Sequence, residues 1–136
     1  METYIFENDL KVFGTEVKDF PNGIDNAFNE LIKKTGDGAG KRNYYGLSSV
    51  NSDGKIIYTA LAEEKNNNEA SKYNYKTYTI EKGEYCYTEL KNWRSNTNCI
   101  KDIFCEMLKD KHINNMKPCI EWYKNDEEMW CMMRSL

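Results

Sequence analysis

A carboxylate stands among apolar and aromatic residues in the segment PCIEWY, residues 118–123. Side chains of a β-strand alternate between its two faces, so Cys119, Glu121 and Tyr123 should share one face. A carboxylate in apolar surroundings is poorly solvated, which raises its pKa and makes it seek a cation or a hydrogen-bond donor. Glu121 is therefore the residue best suited to chemistry. The alternative is an exposed strand glutamate with no task.

Aromatic residues elsewhere in the chain could line a pocket around Glu121. Aromatic ring faces attract cations, and tyrosine hydroxyls can bind the carboxylate when the pocket is empty. Each of these rings could equally well pack in a core. The candidate ligand-binding residues are Glu121, Tyr123, Tyr45, Tyr58, Trp93, Trp130 and Cys119.

Other catalytic chemistry has little support in the sequence. Cys119 shares a face with Glu121, but no histidine stands near it to activate the thiol. The only histidine, His112, follows a helical pattern, and the five cysteines form no C-x-x-C pair. We therefore expect no metal, no cofactor and no disulfide framework. Reduced thiols are typical of a cytoplasmic protein.

A six-residue phrase occurs twice, as TEVKDF at 15–20 and as TELKNW at 88–93. After each copy, apolar residues recur at i, i+4, i+7 and i+8, which predicts an amphipathic helix over 23–34 and over 99–110. Chance similarity between two ordinary helices is the alternative. Because the matched phrase precedes both helices, we infer an internal duplication instead.

Strand patterns surround both helices in the same order. One strand precedes each helix, and two short strands around a turn follow it. The first turn contains Asp53-Gly54, a strong hairpin signal. A polar segment, 64–69, separates the halves and should be a surface loop. The predicted strands are 10–18, 43–50 and 55–62, then 75–90 (broken at Lys82-Gly83), 118–124 and 129–134.

Two strand-helix-strand-strand units predict an α+β fold. The repeats, approximately 3–62 and 75–136, should form a single domain with pseudo-two-fold symmetry. We expect one antiparallel sheet with both helices on one face and a ligand groove on the other. The equivalent residues Phe28 and Phe104, one in each predicted helix, should both be buried.

Strand alternation then assigns side chains to the two faces of the sheet. We expect Ile120 and Trp122 to point to the helices, and Glu121 to point into the groove. Aligning the two halves puts Tyr45 in the groove and Gly46 on the helix face. A one-residue slip in this alignment would invert the assignment.

The overall composition excludes some classes of protein. The net charge of −3 argues against a general nucleic-acid binder, which would carry a basic surface. No apolar run approaches the roughly 18 residues of a membrane span, and no signal peptide is recognisable. We expect a cytoplasmic monomer or dimer that binds neither membranes nor nucleic acid directly.

The order of several short motifs resembles the GyrI-like effector-binding family, which also supplies the ligand domain of bacterial drug-sensing regulators of the AraC and MerR types. The resemblance covers nearly the whole chain. It implies a duplicated strand-helix-strand-strand fold and a central acid, here Glu121, in an aromatic cleft. The motifs are FPNGI at 20–24, YYGLS at 44–48, Tyr58 in IIYTA, EKGEY at 81–85, and PCIEWY followed by WCMM.

The resemblance implies a protein that binds lipophilic, often cationic, small molecules. No helix-turn-helix precedes the first strand, so we expect a stand-alone version that senses or sequesters its ligand. Stand-alone relatives also include hydrolases of cyclopropane-bearing genotoxins and a gyrase inhibitor. The alternatives are therefore a hydrolase in which Glu121 activates water, and a module that inhibits a topoisomerase-like protein partner.

Overall fold

The computed structural model describes residues 1–136, which form eight strands and three helices. No helix is both long enough and apolar enough to cross a membrane. The strands are β1 (Glu2–Phe6), β2 (Leu10–Glu16), β3 (Tyr44–Val50), β4 (Ile56–Glu63), β5 (Lys76–Ile80), β6 (Gly83–Lys91), β7 (Cys119–Tyr123) and β8 (Glu128–Arg134). The helices are α1 (Ile24–Thr35), α2 (Glu69–Lys72) and α3 (Cys99–Met107).

The predicted strands and both predicted helices are present, with ends shifted by at most three residues, and the break at Lys82-Gly83 separates β5 from β6. Helix α1 ends at Gly36, whose φ of 75° suits glycine and whose N–H donates to Ile32 O at 2.8 Å. Two elements were not predicted. Strand β1 is a short edge strand, and α2 lies at the end of the polar segment 64–69.

All eight strands form one antiparallel sheet in the order β1-β6-β8-β7-β3-β4-β2-β5. Strands β1 and β2 lie six positions apart, about 29 Å in a flat sheet. The connection from Phe6 to Leu10 spans at most about 14 Å. The sheet must therefore curl until its two edges approach each other. The backbone N–H of Lys82 donates to Asp9 Oδ1 at 2.8 Å, which ties the two edge connections together.

The curl brings apolar side chains together on the face that carries no helix. This inner cluster takes at least one residue from every strand and none from a helix. Its buried members are Phe6, Val12, Tyr45, Leu61, Ile80, Tyr85, Ile120, Trp122 and Met132. Burial of these large side chains fills the inner face with a packed core where the sequence predicted a ligand groove.

All three helices pack on the opposite face of the sheet. Leu31 of α1, Ala70 of α2 and Phe104 of α3 join one core cluster with residues of the strands, including Tyr123. The predicted orientation of β7 is therefore wrong. Tyr123 and Glu121 face the helices, while Ile120 and Trp122 face the inner cluster.

The polar segment 64–69 is not wholly a surface loop, because Glu69 is 4% exposed. Its carboxylate binds the guanidinium of Arg42, with Nη2–Oε2 at 2.9 Å. Asp37 binds the same guanidinium at 3.0 Å. The ion pair holds the pKa of Glu69 down to about 2, and N–H groups of Lys65 and Asn66 add to the effect. This network fixes α2 to the segment that leads into β3.

Candidate functional site

Glu121 lies at the centre of the sheet, on the middle strand pair. In β7 it stands opposite Gly46 of β3 and Cys131 of β8. Only 8% of the residue is exposed. Strands β8 and β6 on one side of β7, strands β3 and β4 on its other side, and the helices over this face shield the carboxylate from most of the solvent.

Two tyrosines donate hydrogen bonds to the same oxygen of Glu121. Tyr58 Oη is 2.7 Å from Oε1, and Tyr123 Oη is 2.5 Å from it. Oε2 accepts no hydrogen bond from the protein, yet every fully enclosed side-chain polar atom has a partner. Oε2 therefore keeps a small exposed area and has no hydrogen-bond donor from the protein.

Gly46 makes room for this arrangement. A Cβ atom at this position would lie 2.1 Å from Tyr58 Oη and 2.7 Å from Glu121 Oε1. Gly46 faces the helices as predicted, but the groups that approach it are the tyrosine and the carboxylate, not a helix.

In the absence of a cation, the charged form of Glu121 is less favourable in this site than in water. Burial raises the pKa of Glu121, and the hydrogen bonds from Tyr123 and Tyr58 oppose that rise only in part. No salt bridge reaches Glu121. Burial and the nearby carboxylate also raise the pKa of Tyr58 and Tyr123 well above the usual value. Both tyrosines therefore stay protonated donors at neutral pH.

Three half-buried aromatic rings surround the two tyrosines. Phe20 stacks on Tyr58 with ring centroids 5.2 Å apart and planes 12° apart. Trp93 and Phe28 contact Tyr123 edge to face, at 4.8 Å and 5.4 Å. Phe28 was expected to be buried but is half-buried, whereas Phe104 is buried.

The repeated phrase supplies two of these three aromatic rings. Phe20 ends TEVKDF and Trp93 ends TELKNW. Each phrase thus carries the chain off the sheet and lays an aromatic ring against one of the tyrosines that bind Glu121. Trp93 is fixed further by its Nε1–H, which donates to the carbonyl of Asn125 at 2.8 Å.

Five of the seven predicted site residues lie on the helix face, and two do not. Glu121, Tyr58, Tyr123 and Trp93 are brought together, and half-buried Cys119 packs on the same core. The other two pack with the inner cluster on the opposite face of the sheet, so their prediction as neighbours of Glu121 is wrong; they are Tyr45 and Trp130.

Trp130 is already engaged on that opposite face. Its ring stacks on Tyr87 with centroids 3.8 Å apart, and Lys124 Nζ lies 3.7 Å from its centroid. The chain's own ammonium group thus fills the space above this ring.

The thiols near Glu121 are unsuited to nucleophilic attack. Burial and the carboxylate of Glu121 raise the pKa of Cys119 to about 11, so the thiol is protonated at neutral pH. All five cysteines are free. No three His, Cys, Asp or Glu side chains form a group that could bind a metal ion.

Sequence reasoning missed Phe20 and Phe28 as site residues. Phe20 lies in a motif that supported the family resemblance, and its place at the end of the repeated phrase was the available signal. Phe28 was assigned to the core because it falls on the apolar face of α1.

No protein-family model matches the chain, and no curated protein matches it. Solved structures do share its fold. An integron cassette protein from the mobile metagenome of Vibrio cholerae superposes with a TM-score of 0.71 at 14% identity, covering 99% of this chain and 95% of that one. A putative bacterial transcription regulation protein from Staphylococcus aureus MU50 gives 0.60 at 14% identity, with 99% of both chains covered.

The third similar structure contains a ligand. SAV2435 bound to tetraphenylphosphonium superposes with a TM-score of 0.67 at 14% identity, covering 98% of this chain and 94% of that chain. The three likenesses extend over the whole chain, so this α+β fold of a curled sheet with its helices is one that bacterial proteins of different sequence share.

Proposed function

We propose that this protein binds a lipophilic organic cation against Glu121, on the helix face of the sheet. The observation that carries the proposal is the state of the carboxylate. Oε1 is fixed by two tyrosines, while Oε2 has no donor and the residue has no ionic partner. A ligand cation would supply the missing counter-charge.

The surroundings favour a cation with apolar substituents over a hydrated metal ion. Phe20, Phe28 and Trp93 are half-buried and stand around the tyrosine pair. Cation–π attraction to such rings contributes roughly 0.5–2 kcal/mol. The apolar substituents of the ligand would cover the exposed parts of these rings and gain the hydrophobic term.

The comparison with SAV2435 supports the same chemistry, because that protein was captured with tetraphenylphosphonium, a lipophilic cation. The likeness to a putative transcription regulation protein is consistent with a sensing role. Together with the motif resemblance, these likenesses support assignment to the GyrI-like effector-binding family, in a form that senses or sequesters its ligand.

We also propose that the site lies between two copies of one unit within a single domain. The strand order supports this symmetry. If each of β1–β4 is matched with the corresponding strand of β5–β8 and the two labels are exchanged, the new order is the original order read backwards. This is the behaviour of two copies related by a two-fold axis between β3 and β7. Glu121 stands next to that axis, where two such units meet and pockets are common.

The test is calorimetric titration with tetraphenylphosphonium and with neutral triphenylphosphine oxide. We expect micromolar-range affinity for the cation, about −8 kcal/mol, and weaker binding of the neutral compound. Glu121→Gln should remove the difference in affinity between the cation and the neutral compound. Glu89→Gln, at an exposed glutamate of β6, is the matched control and should retain it.

Equal affinity of wild type and Glu121→Gln for the cation would overturn the proposal. A cyclopropane-bearing substrate that is hydrolysed by the wild type, and not by Glu121→Gln, would favour the hydrolase alternative. Binding of a topoisomerase without any small-molecule binding would favour the inhibitor alternative.

A further inference from the structure

A cleft of about 500 Å³ lies near the Glu121 site and has Phe20 among its lining residues. The cleft opens where residues 16–20 leave the sheet beside the start of β4. Val17, Ile56 and Ile57 line it together with Phe20. None of the interactions described above for Glu121 uses this space.

Phe20 connects the two places. It lines the cleft, and its ring also stacks on Tyr58, which donates to Glu121. A molecule that touches Phe20 from the cleft is therefore one ring stack and one hydrogen bond away from the carboxylate.

The chemistry of the cleft differs from that of the Glu121 site. Its apolar lining includes Ile56, which is 53% exposed although it is a large aliphatic side chain. Its charged lining residues are Lys18, Lys55 and Glu16, and none of them forms a salt bridge. Two unpaired ammonium groups against one carboxylate disfavour a cation here and favour an apolar group that carries a hydrogen-bond acceptor.

Resting on the proposed function, we infer that the ligand is a two-part molecule. Its cationic head binds Glu121, and an uncharged apolar arm extends across Phe20 into the cleft lined by Ile56 and Ile57. An acceptor on the arm, such as a carbonyl oxygen, binds Lys18 or Lys55. Head-only cations occupy part of the site and bind more weakly.

The experiment compares benzyltrimethylammonium with (4-benzoylbenzyl)trimethylammonium, which has the same head and a carbonyl-bearing arm. We expect the arm to tighten binding about tenfold or more, because it buries apolar surface in the cleft. Ile56→Ser should reduce this advantage and leave the affinity for the head unchanged. Val50→Ser is the matched control, since Val50 is exposed and stands opposite Ile56 on β3 without lining the cleft.

The benzophenone group of the longer probe also reports where the arm lies. After irradiation we expect cross-links within 16–20 and 54–57. Cross-links concentrated in α1 or α3 would overturn the inference. The double variant Lys18→Ala/Lys55→Ala should lower the affinity for the benzoyl probe. It should leave unchanged the affinity for the (4-benzylbenzyl) analogue, which lacks the carbonyl.

The outcomes separate this inference from the proposed function. If the ammonium head binds in a Glu121-dependent way and the arm adds nothing, the cleft assignment fails alone. If neither ammonium compound binds but neutral benzophenone labels 16–20 and 54–57, the proposed function fails and the cleft assignment stands.

Discussion

Tyr58 and Tyr123 donate to one oxygen of Glu121 and leave the other without a donor. Tyr58 belongs to β4 and Tyr123 to β7, so the arrangement exists only when the two halves of the sheet are joined through β3. Neutral donors stabilise the carboxylate without cancelling its charge. The free oxygen can therefore still attract a cation.

The affinity for a permanently charged ligand should depend on pH through Glu121. Burial raises the pKa of the empty site, and a bound cation lowers it again. As pH drops below the pKa of the empty site, binding must displace a proton, so affinity falls until pH passes the pKa of the complex. Glu121→Gln should cost roughly 1.5–3 kcal/mol of binding at high pH and abolish this dependence. Titration calorimetry at several pH values measures both, and an unchanged profile in the variant would show that Glu121 is not the titrating group.

Removing either tyrosine hydroxyl should weaken cation binding without removing it. The hydrogen bonds from Tyr123 and Tyr58 hold the pKa of Glu121 below the value that burial alone would set. Tyr58→Phe and Tyr123→Phe should each raise that pKa further and cost about 1 kcal/mol of binding near neutral pH. The onset of the pH-dependent loss should move to higher pH in both variants. Tyr87→Phe, on the opposite face of the sheet, should not change the pH at which cation affinity begins to fall.

Gly46→Ala should disrupt the site more than its small size suggests. The added methyl group would lie 2.1 Å from Tyr58 Oη and must push that side chain away from Glu121. We expect a loss of about 1–3 kcal/mol in unfolding free energy and a loss of cation binding. Gly38→Ala is the matched control, because nothing lies within 4 Å of its Cβ position. Urea denaturation and ligand titration of both variants would refute the positioning role of Gly46 if they behaved alike.

The buried Arg42–Glu69 pair should support stability until strongly acidic pH. The pKa of Glu69 is lowered to about 2, so its contribution is present above the ordinary carboxyl pKa and is lost as pH falls towards 2. Glu69→Gln should cost about 1.5–3 kcal/mol near neutral pH, since it removes the charge from two hydrogen bonds and leaves Asp37 as the remaining carboxylate partner of Arg42. Glu106→Gln removes one half of the exposed Lys109–Glu106 pair and should leave the unfolding free energy almost unchanged, because solvent screens this pair. Urea denaturation between pH 2 and pH 7 distinguishes the two, and similar small costs would contradict a structural role for the buried pair.

Local patterns in the sequence were sufficient to predict most of the strands and both larger helices. Asp53-Gly54 marks the hairpin between β3 and β4, and apolar residues at helical spacing mark α1 and α3. These signals depend on residues close together in the chain, and their physics is the same in any fold. The importance of Glu121 was also visible, because a carboxylate among apolar and aromatic residues requires a partner.

The face on which Glu121 acts was decided only by the tertiary structure. Alternation shows that Glu121 and Tyr123 share a face, but not which face the helices cover. A one-residue error in aligning the halves exchanges the two faces, and this error placed Tyr45 beside Glu121 when Gly46 is the true neighbour. The pairing of β3 with β7 corrects it. Likewise, the contacts of Phe20 with Tyr58 and of Arg42 with Glu69 join distant segments of chain. No local pattern encodes such contacts, because they exist only after the sheet has curled and closed.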